Sequence, residues 1–90
     1  MKAKNLVELY QHFDELVDQE ADSDTLFASS YIRGFIALVS SQFGDENQLL
    51  NSELFRCVTE ELSKAKTELT PQDSVIVNNY WLSLQTNLLN

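Results

Sequence analysis

The side chains in this chain that could take part in chemistry are few: one histidine, one cysteine, six bases and fourteen acids in ninety residues. His12 falls in helical step with Glu8 and Glu15, which places an imidazole and two carboxylates on one helix face. Such a set can ligate a divalent cation. Any solvated acidic helix presents the same face, so no metal site is expected. Cys57 has no histidine near it in sequence, and a thiol needs a neighbouring base or cation to become a nucleophile. Its place beside an apolar stripe suits a small buried side chain. Asp18, Glu20, Asp22 and Asp24 alternate as calcium ligands do. Counted from Asp18, however, Ser23 stands where the loop needs glycine and Ser29 where it needs a bidentate glutamate. Helix-end capping is the simpler explanation.

The chain has no glycine-rich phosphate loop and no Ser–His–Asp or Cys–His spacing. The expectation is a protein that is not an enzyme and holds no cofactor. One residue still asks for a partner. Arg33 is the single charge in TLFASSYIRGFIALVSSQFG, residues 25–44. In an up-and-down bundle its level meets Tyr10 on the first helix and Leu62 on the third, with Asp14 and Glu61 in reach. A buried ion pair with Asp14 or Glu61 would fix helix register. Alternatively, Arg33 stays exposed and grips a partner's carboxylate or phosphate.

Four helical segments would position these residues. Over about 3–19, Leu6, Leu9, Phe13, Leu16 and Val17 form one stripe opposite Glu8, His12, Glu15 and Gln19. The stretch EADSD, residues 20–24, ends that helix, with Ser23 or Asp24 as cap of the next. The second, about 24–43, is apolar on one half through Phe27, Ala28, Tyr31, Ile32, Phe35, Ile36, Leu38, Val39 and Phe43. Its other half holds the small residues Ser29, Ser30, Gly34, Ala37, Ser40 and Ser41, where a neighbouring backbone could approach closely. This pattern suits a central helix flanked on both sides. After a break at GDEN, 44–47, the third helix runs from about 52 to 69 with Leu54, Phe55, Val58, Leu62, Ala65 and Leu69 inward. LTPQD then marks a helix start, with Thr70 as cap, Pro71 in the first turn and Asp73 three residues after the cap. The fourth helix, about 71–89, has Ile76, Val77, Tyr80, Trp81, Leu84 and Leu88 on one face. Tyr80 and Trp81 are read as core. Val75, Leu82 and Leu89 make a second stripe on roughly the opposite side.

The fold expected is all-α, a small four-helix antiparallel up-and-down bundle forming a single domain over 1–90. Two glycines and one proline are too few turn residues for many short strands. The net charge of −8 disfavours nucleic acid as a partner. The N-terminus lacks the apolar run of a secretory signal, and residues 25–44 are too polar to lie in lipid. A lone cysteine fits a reducing compartment. A cytoplasmic protein with no membrane partner is expected.

At LFASSYIRG and ELTPQDSVIVNNYWLSL the chain resembles the YfcL family of small bacterial proteins. The family pattern, LFAS-x-Y-x-RG, then EL-[S/T]-P-x-D, a valine, and tryptophan followed by x-x-L, is met here. The matching positions are Leu26 to Ser29, Tyr31, Arg33, Gly34, Glu68 to Pro71, Asp73, Val77, Trp81 and Leu84. The similarity is clearest from about residue 13 to 84, and the first helix departs most. The resemblance implies no activity, cofactor or catalytic residue. Function therefore rests on surfaces. The uncharged last helix suggests a homodimer through Val75, Leu82 and Leu89, or an unknown protein partner. As an alternative, the acidic first helix and following loop could dock a basic partner as an adaptor or regulator.

Overall fold

A computed structural model describes residues 3–45 and 48–89, the side chains of residues 66 and 89 aside. Four α-helices follow one another: α1 (Leu6–Asp18), α2 (Ser23–Ser40), α3 (Ser52–Lys64) and α4 (Pro71–Leu89). A single 3-10 turn, Lys66–Glu68, separates the last two.

Each helix opens on a side chain that satisfies a free backbone N–H. Asn5 accepts from Glu8 N at 3.0 Å and Asn51 from Leu54 N at 2.9 Å. Thr70 accepts from Asp73 N at 3.1 Å, as the LTPQD signature predicts. At α2 the cap is Asp22 rather than Ser23 or Asp24. Its carboxylate takes both donors of Thr25, the N–H at 3.2 Å and the hydroxyl at 2.7 Å. Those two bonds hold the Asp22 carboxyl below its usual range.

The ends are equally specific. Past α1, Ala21 N donates to Leu16 O at 3.0 Å and Glu20 N to Val17 O at 3.1 Å, with Glu20 at φ 55°. This is a Schellman motif with glutamate where glycine is usual. α2 stops at Ser40, short of the expected residue 43, because Phe43 N and Gly44 N turn back onto Ser40 O. Gln48 Nε2 adds a third donor to that carbonyl at 3.0 Å. α3 ends at Lys64, not near residue 69, where Glu68 N turns back onto Ala65 O and leaves room for the start of α4. Before α3 the chain pairs with the N-terminal segment. Leu50 N donates to Lys4 O at 3.0 Å and Leu6 N to Gln48 O at 3.3 Å, around an isolated antiparallel bridge between Asn5 and Leu49.

α2 is the centre, packing most extensively on α4, then on α3 and α1. The core joins Leu6, Leu9 and Phe13 of α1 to Ala28, Ile32, Ile36 and Val39 of α2. It continues through Leu54, Phe55, Val58 and Leu62 of α3 to Val77, Trp81 and Leu84 of α4. Trp81 locks α4 to α3. Its ring meets Phe55 edge-on at 5.5 Å, and its Nε1 donates to Thr59 Oγ1 at 2.8 Å. Thr59 Oγ1 in turn donates to Phe55 O at 2.8 Å, so the indole is held by a threonine already bonded to its own helix.

Two readings of the stripes need correction. Val17, assigned to the buried stripe of α1, is 60% exposed. On α2 the buried line is narrower than half the helix: Phe27 and Leu38 are exposed, and so is Phe43 beyond its end. The small-residue side is split. Ser29 and Ser40 are buried, while Ser30, Gly34, Ala37 and Ser41 face solvent. Helical spacing locates the centre of an apolar face well and its edges poorly, because neighbours decide the edges.

A Cβ added at Gly34 would meet nothing within 4 Å. With no close approach to preserve, Gly34→Ala removes only the backbone-entropy cost of a mid-helix glycine. The variant should be more stable than the wild type by about 1 kcal/mol in urea unfolding. A loss of stability would mean that another backbone occupies that space.

Candidate functional site

The elements place Arg33 on the flank of α2 that faces α1. Its Nη1 donates to Asp14 Oδ1 at 2.7 Å. Its guanidinium carbon sits 4.9 Å from the centre of the Tyr10 ring, a cation–π stack that orients the guanidinium plane. Asp14 and Tyr10 lie one helical turn apart on α1, so one face supplies both contacts. The level expected opposite Tyr10 is the observed one, but the pair is not buried. The side chains of Arg33 and Asp14 are 40% and 65% exposed. Glu61 is not a partner of Arg33, since its carboxylate accepts from Lys64 Nζ at 3.2 Å on its own helix. Arg33 reaches sideways to α1 instead of inward towards α3.

Next to this cluster, an open groove between α1 and the C-terminal turns of α2 encloses about 280 Å³. Leu6, Tyr10 and Ala37 supply apolar wall, and Ser40, Ser41 and Gly44 continue it towards Asp45. Tyr10 belongs to both features. Spacing arithmetic could find the Arg33–Tyr10 level. It could not find the groove, which depends on where α2 stops.

The second candidate surface lies on α4. Val75 is 57% and Leu82 62% exposed, and the side chain of Leu89 lies outside the described residues. Around the first two, Asn78, Asn79, Ser83 and Thr86 are also exposed. This side of a 19-residue helix therefore carries apolar and neutral polar groups with no ionised side chain. The opposite face holds the packed residues, with Trp81 3% exposed and Tyr80 half-buried. Burial pushes the Tyr80 hydroxyl up to about 12.

His12 is half-buried at the edge of α1, its ring 6.1 Å from Phe13. Desolvation lowers its pKa, against the opposing pull of Glu15. Among the described residues no group of three His, Cys, Asp or Glu is placed to hold a metal ion. Cys57 is half-buried on α3 against the core, with Arg56 Nη2 3.9 Å from its sulfur. Arg56 itself, which sequence reasoning passed over, bridges Glu53 and Glu60, each at 2.6 Å. The E-x-x-R-x-x-x-E spacing was its signal. No helix of the described residues is long and apolar enough to cross a membrane.

With this geometry in place, comparison with known proteins gives one clear result. The sequence pattern of the YfcL protein family matches residues 5–86. The chain belongs to the YfcL family. It is 33% identical over 73 residues to the uncharacterized protein YfcL of Escherichia coli strain K12, covering 79% of this chain and 78% of that one. No solved structure matches. The family match takes in α1 and most of α4, and so both candidate surfaces.

Two measurements test this site. Because the Arg33–Asp14 pair is exposed, Arg33→Met should lower unfolding stability by no more than about 1 kcal/mol. A loss above about 3 kcal/mol would show a desolvated pair. For His12 the sign is fixed by the lowered pKa. The folded state binds fewer protons than the unfolded state, so its contribution is present above the ordinary value of 6.5 and is lost as pH falls below it. Relative to His12→Gln, the wild type should lose stability as pH falls through 6.5. Parallel curves for the two proteins would show that the ring is not desolvated.

Proposed function

We propose that this member of the YfcL family works by protein–protein association and not by catalysis, self-associating through the solvent side of α4. One observation carries the reading: exposed Val75 and Leu82 on a helix face without ionised side chains, in a chain of net charge −8. Interface centres are depleted in charge and enriched in apolar area. Two copies of an acidic protein repel wherever their acids meet, and this face lets them approach without that repulsion. A two-fold axis through α4 would set the same stripe against itself. The lone, half-buried Cys57 suits a reducing cytoplasm.

The acidic-adaptor reading has weaker support. Asp14 is paired with Arg33 and Asp22 caps α2, so two of the acids proposed for docking already have roles within the chain. Light scattering over a dilution series, at low and high salt, separates the two. Self-association through α4 should give twice the chain mass, insensitive to salt, and Leu82→Glu should return it to the monomer with its helicity unchanged. A wild-type monomer at every concentration would end the proposal.

A further inference from the structure

The outer side of α4 is neutral along its length, but the bundle behind it is unevenly charged from end to end. The connections 19–22 and 65–70 lie at one end, where α1 and α3 finish and α2 and α4 begin. The connection between α2 and α3 lies at the other, where residues 48–50 pair with residues 4–6. Acids crowd the first end. Residues 14–24 hold six acids and no base, and residues 60–73 hold four acids and two lysines, so ten of the fourteen acids belong there. Among the described residues of the second end, Lys4 and Arg56 nearly balance Glu8, Asp45 and Glu53. α4 spans the two, with Pro71 at the acidic end and Leu89 at the other.

We infer that two copies of this chain associate with their α4 helices antiparallel, crossing at Leu82. The inference rests on the self-association proposed above and fixes its geometry. Were the copies parallel, their acidic ends would lie side by side and repel. Turned end for end, each acidic end lies beside the nearly balanced end of the other copy. The helix dipoles then also oppose, N-terminus beside C-terminus. Repulsion between parallel copies would be relieved by added salt, so association insensitive to salt requires the antiparallel pair. Spacing gives the centre. Val75 and Leu89 stand seven residues either side of Leu82. A two-fold axis at Leu82 therefore sets Val75 of each copy against residue 89 of the other. It also brings Asn79, which is exposed, beside the exposed Thr86 of the second copy.

The test is disulfide trapping in the full chain carrying Cys57→Ser, with single cysteines introduced on α4 and copper phenanthroline as oxidant. A disulfide needs Cβ atoms about 4 Å apart. Leu82→Cys should form a covalent dimer. Val75→Cys should form one at least tenfold more slowly, because antiparallel helices hold its two copies about 21 Å apart along the axis. Asn79→Cys mixed with isotopically heavy Thr86→Cys should give chiefly the mixed dimer by mass spectrometry. That mixture leaves the apolar stripe intact, and it carries the test if Val75→Cys is monomeric. The antiparallel geometry is overturned, with self-association through α4 intact, if Val75→Cys links as fast as Leu82→Cys. It is equally overturned if the mixture gives no more mixed dimer than random pairing. No link from Leu82→Cys in a chain that is dimeric by light scattering would place the interface off α4, and a wild-type monomer would end self-association itself. Either result removes this inference together with the reading beneath it.

Discussion

Every other helix of this chain packs on α2, so the fold depends on how that helix divides its circumference. Ala28, Ile32, Ile36 and Val39 form the inward line. Ser29 and Ser40, small and buried, let neighbours come close, and each serine hydroxyl bonds a carbonyl of its own helix. Arg33 closes the flank towards α1. Only about one side of α2 is left to water, and there the residues are mostly small. A charged residue on the inward line would face three helices at once and find no water. That explains why residues 25–44 hold a single charge and why that charge sits at an edge.

Much of this was legible in the sequence where local chemistry decides structure. Thr70, Pro71 and Asp73 mark the start of α4 because capping is a contact within one turn. The central place of α2 follows from the scarcity of charge beyond its first turn. Three features could not be read. Asp22 displaces Ser23 and Asp24 as the cap because Thr25 offers it two donors, a choice among near-equal local options. Glu61 is no partner of Arg33 because the direction a long side chain takes depends on packing between helices, which periodicity does not record. Val17 is exposed although Leu16 beside it packs on the core, a difference that spacing along α1 does not record. Local chemistry writes helix starts, and tertiary contacts write the edges of their faces.

Charge is distributed by the same logic. Arg56 is held by two glutamates on its own helix and Arg33 by one aspartate on the next. These pairs sit in water and contribute little each. They offset acids on α1 and α3, whereas the outer side of α4 is neutral through its own residues.

The pairing of residues 4–6 with 48–50 has a consequence for how the molecule comes apart. It lies just ahead of α1, while the Schellman turn at Glu20 closes the other end of the same helix. Helices usually fray from a free end, one turn at a time. α1 has no free end. To leave the bundle it must break the bridge to residues 48–50 and expose Leu6, Leu9 and Phe13 together. Its opening is therefore cooperative, and a short helix with a modest share of the core behaves as an inseparable part of the whole.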